Sequence, residues 1–381
     1  MTLLFPQTKN NSQGLSLTAP LFSGEKMQNT YPDYYKEFSC IADKCPDTCC
    51  AGWEIVVDEA SLEKYSNLDG GYAQKIRSLI AVDEDGDSIF TPCKSRCPFL
   101  LDSGLCEMYI ELGHDFLCRT CRQFPRHITY FGARTETGIS LSCPEAARII
   151  MKDSDPITFS TEEVHAEIMP TAIDPTLYFT LIETRKTAIN ILQNRNFSIK
   201  KRISAFLELS SEIQFLIRKN NLSQTKEICQ KDYLNSACEI GSHSDKKRTL
   251  AKYFEDFRSL EMLDDSWKTK LDKAEKSAPA NPVGYEWEYE HLMIYFVFRY
   301  LMTAAFDGDL LSKAKFAAVS YIIISRLQAE NPDDKTARIT AMQKYSKEVE
   351  HSMLNMDKLT SSIRKSRFYS IDNLINILSE E

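Results

Sequence analysis

The sequence predicts a mainly α-helical protein, in which a cysteine-rich N-terminal module with short helices and a small hairpin precedes an all-α domain. Ten of the twelve cysteines fall between Cys40 and Cys143. Long stretches of helical periodicity begin only after Pro156. The chain has only 13 glycines, fewer than an average usage of about 7% would give, which favours helices over loops.

Three segments follow from these patterns. Residues 1–29 are polar and lack periodicity, which indicates a flexible leader. Residues 30–155 form the cysteine-rich module, and residues 156–381 form the helical domain. The N-terminus shows no basic stretch followed by an apolar run of about 7–15 residues, so we expect no signal peptide.

Turn-forming residues and short periodic stretches define the module. Short helices are predicted over 58–68 and 71–80, the first capped by its leading aspartate. The acidic stretch 83–88 lacks the ligand spacing of a calcium loop and is expected to be a solvated hairpin tip. Alternation over 128–141 predicts a β-hairpin, and a helix is expected to begin at Pro144, a permitted first-turn position for proline.

The second half of the chain carries long helical patterns. Within Thr176–Asn194, for example, apolar and small residues recur on one face at the helical period. The stretch Ala278–Gly284 separates helices of one bundle rather than two domains. Helices are predicted over 176–194, 199–220, 223–236, 246–262, 285–306, 311–330, 334–352 and 357–379.

Bulk properties narrow the class of protein. The net charge of −8 and the pI of about 5.5 argue against general nucleic-acid binding. The longest apolar stretch, 292–306, contains an arginine and is shorter than the roughly 20 residues that a bilayer requires, so we expect a buried helix and no membrane association. The chain is long enough to fold without disulfide staples. A soluble, cytoplasmic protein with reduced thiols is therefore expected.

Reduced, closely spaced cysteines predict a metal-binding module, since thiolates are soft metal ligands and one loop can present several of them. Iron–sulfur ligation tolerates irregular spacing, whereas structural zinc usually takes repeated Cys-x2–4-Cys pairs; iron–sulfur, zinc and inert or redox thiols remain alternatives at this point. In a helical turn the side chains of the adjacent residues Cys49 and Cys50 would diverge by about 100°. One could then bind one cluster and the other a neighbouring cluster. The spacing is Cys40-x4-Cys45-x3-Cys49-Cys50, then Cys93-x3-Cys97-x8-Cys106, Cys118-x2-Cys121 and Cys143.

Two familiar cofactor signatures are absent from the sequence. No Cys-x3-Cys-x2-Cys motif of radical chemistry occurs, because Cys49 is followed directly by Cys50, and Cys97 is followed next by Cys106. No Gly-x-Gly occurs anywhere in the chain, so a nucleotide-like cofactor would have to bind without a glycine-rich turn.

The motifs around the cysteines carry a family resemblance. The stretches concerned are Phe38–Cys40, Cys45, Cys49–Asp58, Cys97–Leu100, Gly104–Tyr109, Leu112–His114, Cys121–Arg126 and Leu141–Ala147. Together they resemble the flagellin lysine-N-methylase family, which shares its cysteine module with a wider group of zinc- or iron-chelating proteins. Looser similarity at 287–291 and 295–300 extends the likeness to roughly residues 33–330, but its specificity lies in 38–147.

The resemblance implies methylation of lysine ε-amino groups on flagellin, with S-adenosylmethionine as methyl donor and a cysteine-bound iron–sulfur cluster, expected to be of the 4Fe–4S type, as cofactor. It implies no catalytic base and no S-adenosylmethionine-binding residue, and it leaves the oligomeric state open. Cys93 and Cys118 are additions to the family pattern and stay outside the implied ligand set. The implied metal ligands are Cys40, Cys45, Cys49, Cys50, Cys97, Cys106, Cys121 and Cys143.

Several neighbours of the cysteines admit two interpretations. Trp53 and Tyr109 are expected to shield the metal from solvent rather than to contact substrate. Arg122 and Arg126 either offset the charge of the thiolates, or bind a carboxylate such as that of the methyl donor, or form ordinary surface ion pairs.

Further titratable residues are weaker candidates. His114 and His127 could replace a sulfur ligand, although cysteines are in surplus. Glu286, Glu288 and Glu290 could collect a lysine ammonium, but carboxylates in the first turn of a helix ordinarily complement its dipole, which we favour here.

Two rival functions remain besides a lysine methyltransferase. One is a non-enzymatic zinc- or iron-binding or electron-transfer protein whose helical region is a partner-binding scaffold. The other is a purely structural zinc domain. A protein that contains metal but transfers no methyl group would be the metal-binding or electron-transfer protein rather than the enzyme. A protein that contains zinc and no iron would be the structural zinc domain rather than either of the others.

Overall fold

Helices predominate in the computed structural model of the chain, and its strands lie before residue 167. The mainly helical fold class is therefore confirmed. By internal contacts the chain divides into two compact units. The first comprises the described residues up to 149 together with 159–166 and 346–353; the second comprises 150–158 and the rest of the described chain. The structure describes residues 25–84, 86–93, 95–166, 171–236 and 245–379.

The strands belong to the first unit. They are β1 (Glu25–Pro32), β2 (Ile55–Val56), β3 (Ile80–Val82), β4 (Ser88–Phe90), β5 (Arg126–Tyr130), β6 (Arg134–Ile139) and β7 (Phe159–Ala166). One sheet has the order β5-β6-β1-β7, with β1 parallel to β6 and antiparallel to β7. The other has the order β2-β4-β3 and is antiparallel.

Short helices connect these strands. They are α1 (Glu59–Ser66), α2 (Gly71–Ser78), α3 (Glu107–Leu112), α4 (Arg119–Gln123) and α5 (Pro144–Ile150), with single 3₁₀ turns at Asp33–Glu37, Ala42–Lys44 and His114–Phe116. The predictions of two short helices, of a hairpin over 128–141 and of a helix starting at Pro144 are confirmed. Asp58 caps α1, since its Oδ1 accepts a hydrogen bond from the backbone N–H of Ser61 at 3.2 Å. The acidic stretch joins β3 to β4 as predicted.

Long helices make up the second unit. They are α6 (Pro175–Leu192), α7 (Ile199–Lys219), α8 (Thr225–Cys229), α9 (Lys246–Arg258), α10 (Ser266–Lys276), α11 (Glu286–Tyr300), α12 (Ala304–Asp307), α13 (Leu310–Leu327), α14 (Lys335–Val349), α15 (Met353–Lys365) and α16 (Ile371–Leu378). The core lies among α6, α7, α11 and α13. The side chains of α11 are buried without a break from Glu288 to Phe298, as expected of a buried helix. Among the described residues, no helix is both long and apolar enough to cross a bilayer.

Three sequence-based boundaries are wrong. The segment from residue 156 was expected to be all-α, but it contains strand β7. This strand pairs along its whole length with β1, which lies more than a hundred positions earlier in the sequence. The helix predicted over 223–236 ends at Cys229; beyond it, Asp232 accepts a hydrogen bond from the backbone N–H of Asn235 and favours a turn. The helix predicted over 357–379 is interrupted between α15 and α16, where the Ser370 hydroxyl caps α16.

The end of the predicted leader and the predicted domain boundary also differ from those in the structure. Strand β1 begins at Glu25, within the stretch 1–29 expected to be flexible, and residues 1–24 lie outside the described part of the chain. Instead of one boundary near residue 155, the described chain alternates between the units, so that 346–353 belongs to the first unit.

The three carboxylates at the start of α11 form ion pairs inside the second unit. Glu290, fully buried, contacts Arg195 and Arg202, each with a nitrogen–oxygen distance of 2.8 Å. Glu288, also buried, forms two hydrogen bonds to Arg338 at 2.8 and 2.6 Å. Glu286, which is one-third exposed, is 3.2 Å from Arg202. Because arginines already neutralise them, these residues are poor candidates for binding a lysine ammonium, and their expected dipole role is only part of their function.

The Glu290 network gives a first prediction. Glu290→Gln removes the charge that faces Arg202, whose side chain is only 1% exposed, and an unbalanced buried charge costs about 3 kcal/mol. We expect a corresponding fall in the urea midpoint of unfolding. Glu255→Gln is the matched control, because Glu255 is 68% exposed in its pair with Lys252 and should change stability by about 0.5 kcal/mol or less. Equal effects of the two substitutions would contradict this account.

Candidate metal centre

The cysteines of the first unit lie in turns and beside the starts of short helices. Cys40, Cys45, Cys49 and Cys50 lie on the segment between β1 and β2, and Cys97 lies in the turn after β4. Cys106 and Cys118 directly precede α3 and α4, Cys121 is within α4, and Cys143 directly precedes α5. Each of the eleven described cysteines is a free thiol. Cys238 lies outside the described residues.

Several of the sulfurs accept hydrogen bonds from backbone N–H groups. The amide of Ala42 donates to Cys40 Sγ at 3.4 Å. Burial raises the pKa of Cys143 to about 11, while the amides of Ala146 and Glu145 act in the opposite direction. Burial likewise raises the pKa of Cys106, against the amides of Tyr109 and Met108. Backbone donors around buried sulfurs stabilise the thiolate form, which is the form that binds metal.

Four of the thiols influence one another and form the first cysteine group: Cys40, Cys45, Cys49 and Cys143. After burial, the charges of Cys45 and Cys40 raise the pKa of Cys143. Burial also raises the pKa of Cys45, with Cys40 contributing. Cys143 therefore lies within electrostatic reach of Cys40, Cys45 and Cys49, although it is 94 positions beyond Cys49 in the sequence.

Five other thiols form the second cysteine group: Cys50, Cys97, Cys106, Cys118 and Cys121. Burial raises the pKa of Cys97 to about 12, and the charges of Cys50, Cys106 and Cys118 add to it. The backbone N–H of Cys97 donates to the carbonyl of Cys50 at 2.8 Å, which fixes these two residues side by side.

The vicinal cysteines join the two groups. The Cys49 and Cys50 side chains hydrogen-bond to each other, which raises the pKa of Cys49 and lowers that of Cys50 to about 7. The divergence expected for a helical turn does not apply, because these two residues lie in a non-helical turn. The Cys118 and Cys121 side chains form a similar pair, which lowers the pKa of Cys118.

The two cysteines outside the family pattern behave differently. Cys93 is exposed, and its sulfur is not among the charges that act on either group. Cys118, in contrast, is completely buried within the second group. The eight cysteines implied by the resemblance all fall into the two groups, four in each. In the described part of the chain, however, no three or more His, Cys, Asp or Glu side chains already converge as a single metal-ion site.

Trp53 packs directly against the first group. Its indole N–H donates to the carbonyl of Cys49 at 2.8 Å, and its side chain is 7% exposed. One neighbour of the indole is Phe124, with ring centroids 5.6 Å apart, and the other is His351, stacked at 5.4 Å. This placement agrees with the expected shielding role of Trp53. Tyr109, for which the same role was expected, is 53% exposed.

A lysine beside Trp53 was not found by sequence reasoning. Lys347 Nζ is 2.7 Å from Asp47 Oδ1 and 5.0 Å from the centroid of the Trp53 ring. Its charge also lowers the pKa of Cys45, although burial, the larger influence, raises that pKa. The lysine side chain is only 8% exposed. A buried cation therefore lies close to the first cysteine group. No local sequence pattern predicts it, because Lys347 and Asp47 are 300 positions apart in the sequence.

The two arginine candidates have different surroundings. The Arg126 guanidinium lies over the Phe38 ring at 5.0 Å, and its Nη2 donates to the Phe38 carbonyl at 3.4 Å, so it has a structural role. Burial raises the pKa of Tyr65, the charge of Cys118 raises it further, and the charge of Arg122 lowers it. Arg122 and Cys118 therefore both lie near Tyr65, which places Arg122 near the second group.

Neither histidine is placed as a metal ligand. His114 is 62% exposed, and its Nδ1 lies 3.6 Å from the Asp115 carboxylate. His127 is half-buried on β5, and its register partner there is Gly138.

Tyr72 supplies an unpaired donor beside the second group. Its hydroxyl oxygen is buried and has no hydrogen-bond partner among the described residues. Burial raises the pKa of Tyr72, and the charges of Glu107, Cys106 and Cys97 raise it further. An orphaned hydroxyl close to thiolates suits a site in which a sulfur accepts its proton in a hydrogen bond.

The buried lysine gives a second prediction. Lys347→Met removes the ammonium from Asp47, whose side chain is only 20% exposed, and we expect a loss of about 2 kcal/mol of stability, seen as a lower urea midpoint. Lys75→Met is the matched control, because the Lys75–Glu107 pair is more exposed, at 43% and 23%, and should contribute about 0.5 kcal/mol. A loss at Lys347 no larger than that at Lys75 would show that the pair is energetically unimportant.

Comparison with known proteins connects these features to a family. The family model for the FliB lysine N-methylase C-terminal domain matches residues 185–377, about half of the chain and C-terminal to the cysteine stretch. No solved structure matches the chain.

Three curated relatives come from Salmonella. A lysine-N-methylase of Salmonella typhimurium is 30% identical over 156 residues, which is 38% of this chain and 37% of the relative. A lysine-N-methylase of Salmonella choleraesuis is 31% identical over 150 residues, which is likewise 38% of this chain and 37% of the relative. The flagellar biosynthetic protein FliU of Salmonella muenchen is 32% identical over 133 residues, which is 33% of this chain and 78% of FliU.

The chain thus spans little more than a third of the length of the two lysine-N-methylases. It nevertheless matches the family model over half of its own length and covers most of FliU. On these matches, the chain belongs to the FliB lysine N-methylase family.

Proposed function

We propose that the chain is an S-adenosylmethionine-dependent protein-lysine N-methyltransferase that acts on flagellin in the cytoplasm and carries a cysteine-ligated iron–sulfur cluster. The observation that carries the proposal is the match of residues 185–377 to the FliB lysine N-methylase domain. The names of two relatives, lysine-N-methylase, support the reaction class. The name of the third, flagellar biosynthetic protein FliU, supports a flagellar substrate.

The first unit supports the metal part of the proposal. It contains ten free thiols, eight of them half-buried or buried, and the described cysteines form no disulfide. Backbone donors surround sulfurs such as those of Cys106 and Cys143. This donor set fits thiolate ligation, and four thiolates are the usual ligands of a [4Fe–4S] cluster. The residues that would hold metal are Cys40, Cys45, Cys49, Cys50, Cys97, Cys106, Cys121 and Cys143, as the resemblance implies.

The overall reaction fixes what the protein must provide. The bond between sulfur and the methyl carbon of S-adenosylmethionine breaks, a carbon–nitrogen bond to the lysine forms, and the amine releases a proton. The lysine must therefore be neutral before it reacts, which requires a base or a desolvating pocket. An iron–sulfur cluster would supply one-electron chemistry when bound.

The protein's own contribution at the first cysteine group is exclusion of water and a fixed positive charge. Trp53 and His351 form an apolar, stacked cover beside Cys49. Lys347 places a buried ammonium near Cys45. A cation of this kind favours a thiolate-rich, negatively charged centre.

Methyl transfer to flagellin is the test of this function. The anaerobically purified chain is incubated with S-adenosylmethionine and flagellin, and methylated lysines are identified by mass spectrometry. We expect methyl-lysine on flagellin only when protein and methyl donor are both present, and none on flagellin whose lysines have been acetylated beforehand.

The control variants link activity to the cysteines. Cys121→Ser should abolish methylation, whereas Cys93→Ser should leave it unchanged, because Cys93 is exposed and outside both groups. A metal-loaded protein that leaves flagellin unmodified would refute the enzyme and favour the non-enzymatic metal-binding or electron-transfer protein. Zinc without iron would refute the iron–sulfur cluster.

A further inference from the structure

We propose that His291 is a pH-sensitive switch, which in its imidazolium form holds the segment between α5 and β7 against helix α11. This segment, Ile150–Thr158, runs from the last residue of α5 to the residue before β7, and it belongs to the second unit. His291 lies in the second turn of α11 and is only 2% exposed. It ends the stretch 287–291, to which the proposed function assigns no role.

Both ring nitrogens of His291 face backbone carbonyl oxygens of this segment. Nδ1 is 2.9 Å from the Ile150 oxygen, and Nε2 is 3.0 Å from the Asp155 oxygen. A carbonyl oxygen only accepts hydrogen bonds, and a neutral imidazole carries a single N–H. The neutral ring would therefore direct a lone pair at one of the two oxygens, whereas the imidazolium donates to both. Two charge-assisted hydrogen bonds also offset the cost of burying the cation.

Other side chains of the second unit donate to the same segment. Lys335 Nζ donates to the carbonyl of residue 152 at 2.9 Å, Arg195 Nη2 to that of residue 154 at 2.7 Å, and Gln193 Nε2 to that of residue 157 at 2.8 Å. Ammonium, guanidinium and amide groups ordinarily keep their donors near pH 6.5, where histidine titrates. Of these attachments, the one made by His291 therefore depends on pH.

Charged groups of both signs lie on the elements that pack around His291. Trp287 contacts the imidazole ring in a T-shaped arrangement with centroids 5.1 Å apart, and Lys335 lies 5.0 Å from the centroid of the same indole. The charged groups are Glu290 on α11, Lys152, Asp153 and Asp155 in the segment, Arg195 before α7 and Lys335 at the start of α14. Because three are acidic and three are basic, the hydrogen bonds rather than an excess of one charge decide the protonation state.

The direction of the pH dependence follows from the two hydrogen bonds. Loss of the second proton from His291 leaves one buried carbonyl of the segment without a donor, which is unfavourable. The attached segment therefore binds that proton more tightly than a detached segment, in which the imidazole is in water. By linkage, attachment is complete below about pH 6.5, where a free histidine is protonated, and weakens as the pH rises above that range.

Nuclear magnetic resonance of the full chain with ¹⁵N-labelled histidine measures the protonation state directly. At about pH 7.5, where a free histidine reference is mostly neutral, we expect two protonated ring nitrogens at His291. Its signals are identified by their absence in His291→Gln or His291→Asn. One protonated and one unprotonated nitrogen at this pH would overturn the proposal.

Hydrogen exchange followed by mass spectrometry measures the attachment. In the wild-type chain, protection of the amides from the last turn of α5 to residue 158, corrected for intrinsic exchange, should fall about tenfold between roughly pH 6 and pH 9. His291→Gln and His291→Asn each keep one amide donor and cannot titrate, so we expect low protection that does not change with pH. His114→Gln is the matched control, because it removes a histidine that is 62% exposed and should keep the wild-type pH profile.

Far-UV circular dichroism checks that the variants fold, and either His291 variant suffices if the other does not. A wild-type chain whose segment is equally protected across this pH range would overturn the proposal. So would a folded His291 variant that retains the wild-type pH profile, because the titrating group would then be another one.

Discussion

Trp53 is enclosed by residues from two distant parts of the sequence, and the first cysteine group depends on that enclosure. His351 stacks on the indole, Phe124 packs against it, and Lys347 lies over its ring while pairing with Asp47. The indole N–H in turn holds the backbone at Cys49. An apolar cover with one buried cation suits a cluster of thiolates, because it excludes water and balances negative charge.

The sequence was sufficient for features that depend on local patterns. Asp58 capped α1 as its position indicated, the alternation over 128–141 formed a hairpin, and the long periodic stretches gave α6, α7 and α13. The ten cysteines from Cys40 to Cys143 all lie in the first unit. In each case the physical cause lies within a few residues of the chain, where capping and periodicity act.

Features that depend on distant partners could not be predicted in this way. Strand β7 has little strand pattern of its own and forms because β1 is available to pair with it. Lys347 and His351 lie on a long helix and in the turn after it, and only the fold brings them to Trp53. The family match likewise lies in 185–377, although the motifs that suggested the family were concentrated in 38–147. Glu290 was expected to complement the helix dipole, and its two arginine partners, which are distant in sequence, could not be predicted.

Protection of the thiols by metal tests the central claim most directly. The anaerobically purified chain is treated with N-ethylmaleimide, before and after metal removal by a chelator, and labelled cysteines are mapped by mass spectrometry. The account predicts that Cys93 labels in both states, whereas the exposed Cys40 and the half-buried Cys45 and Cys106 label only after metal removal. Equal labelling of these four thiols in both states would contradict a metal centre in the cysteine stretch.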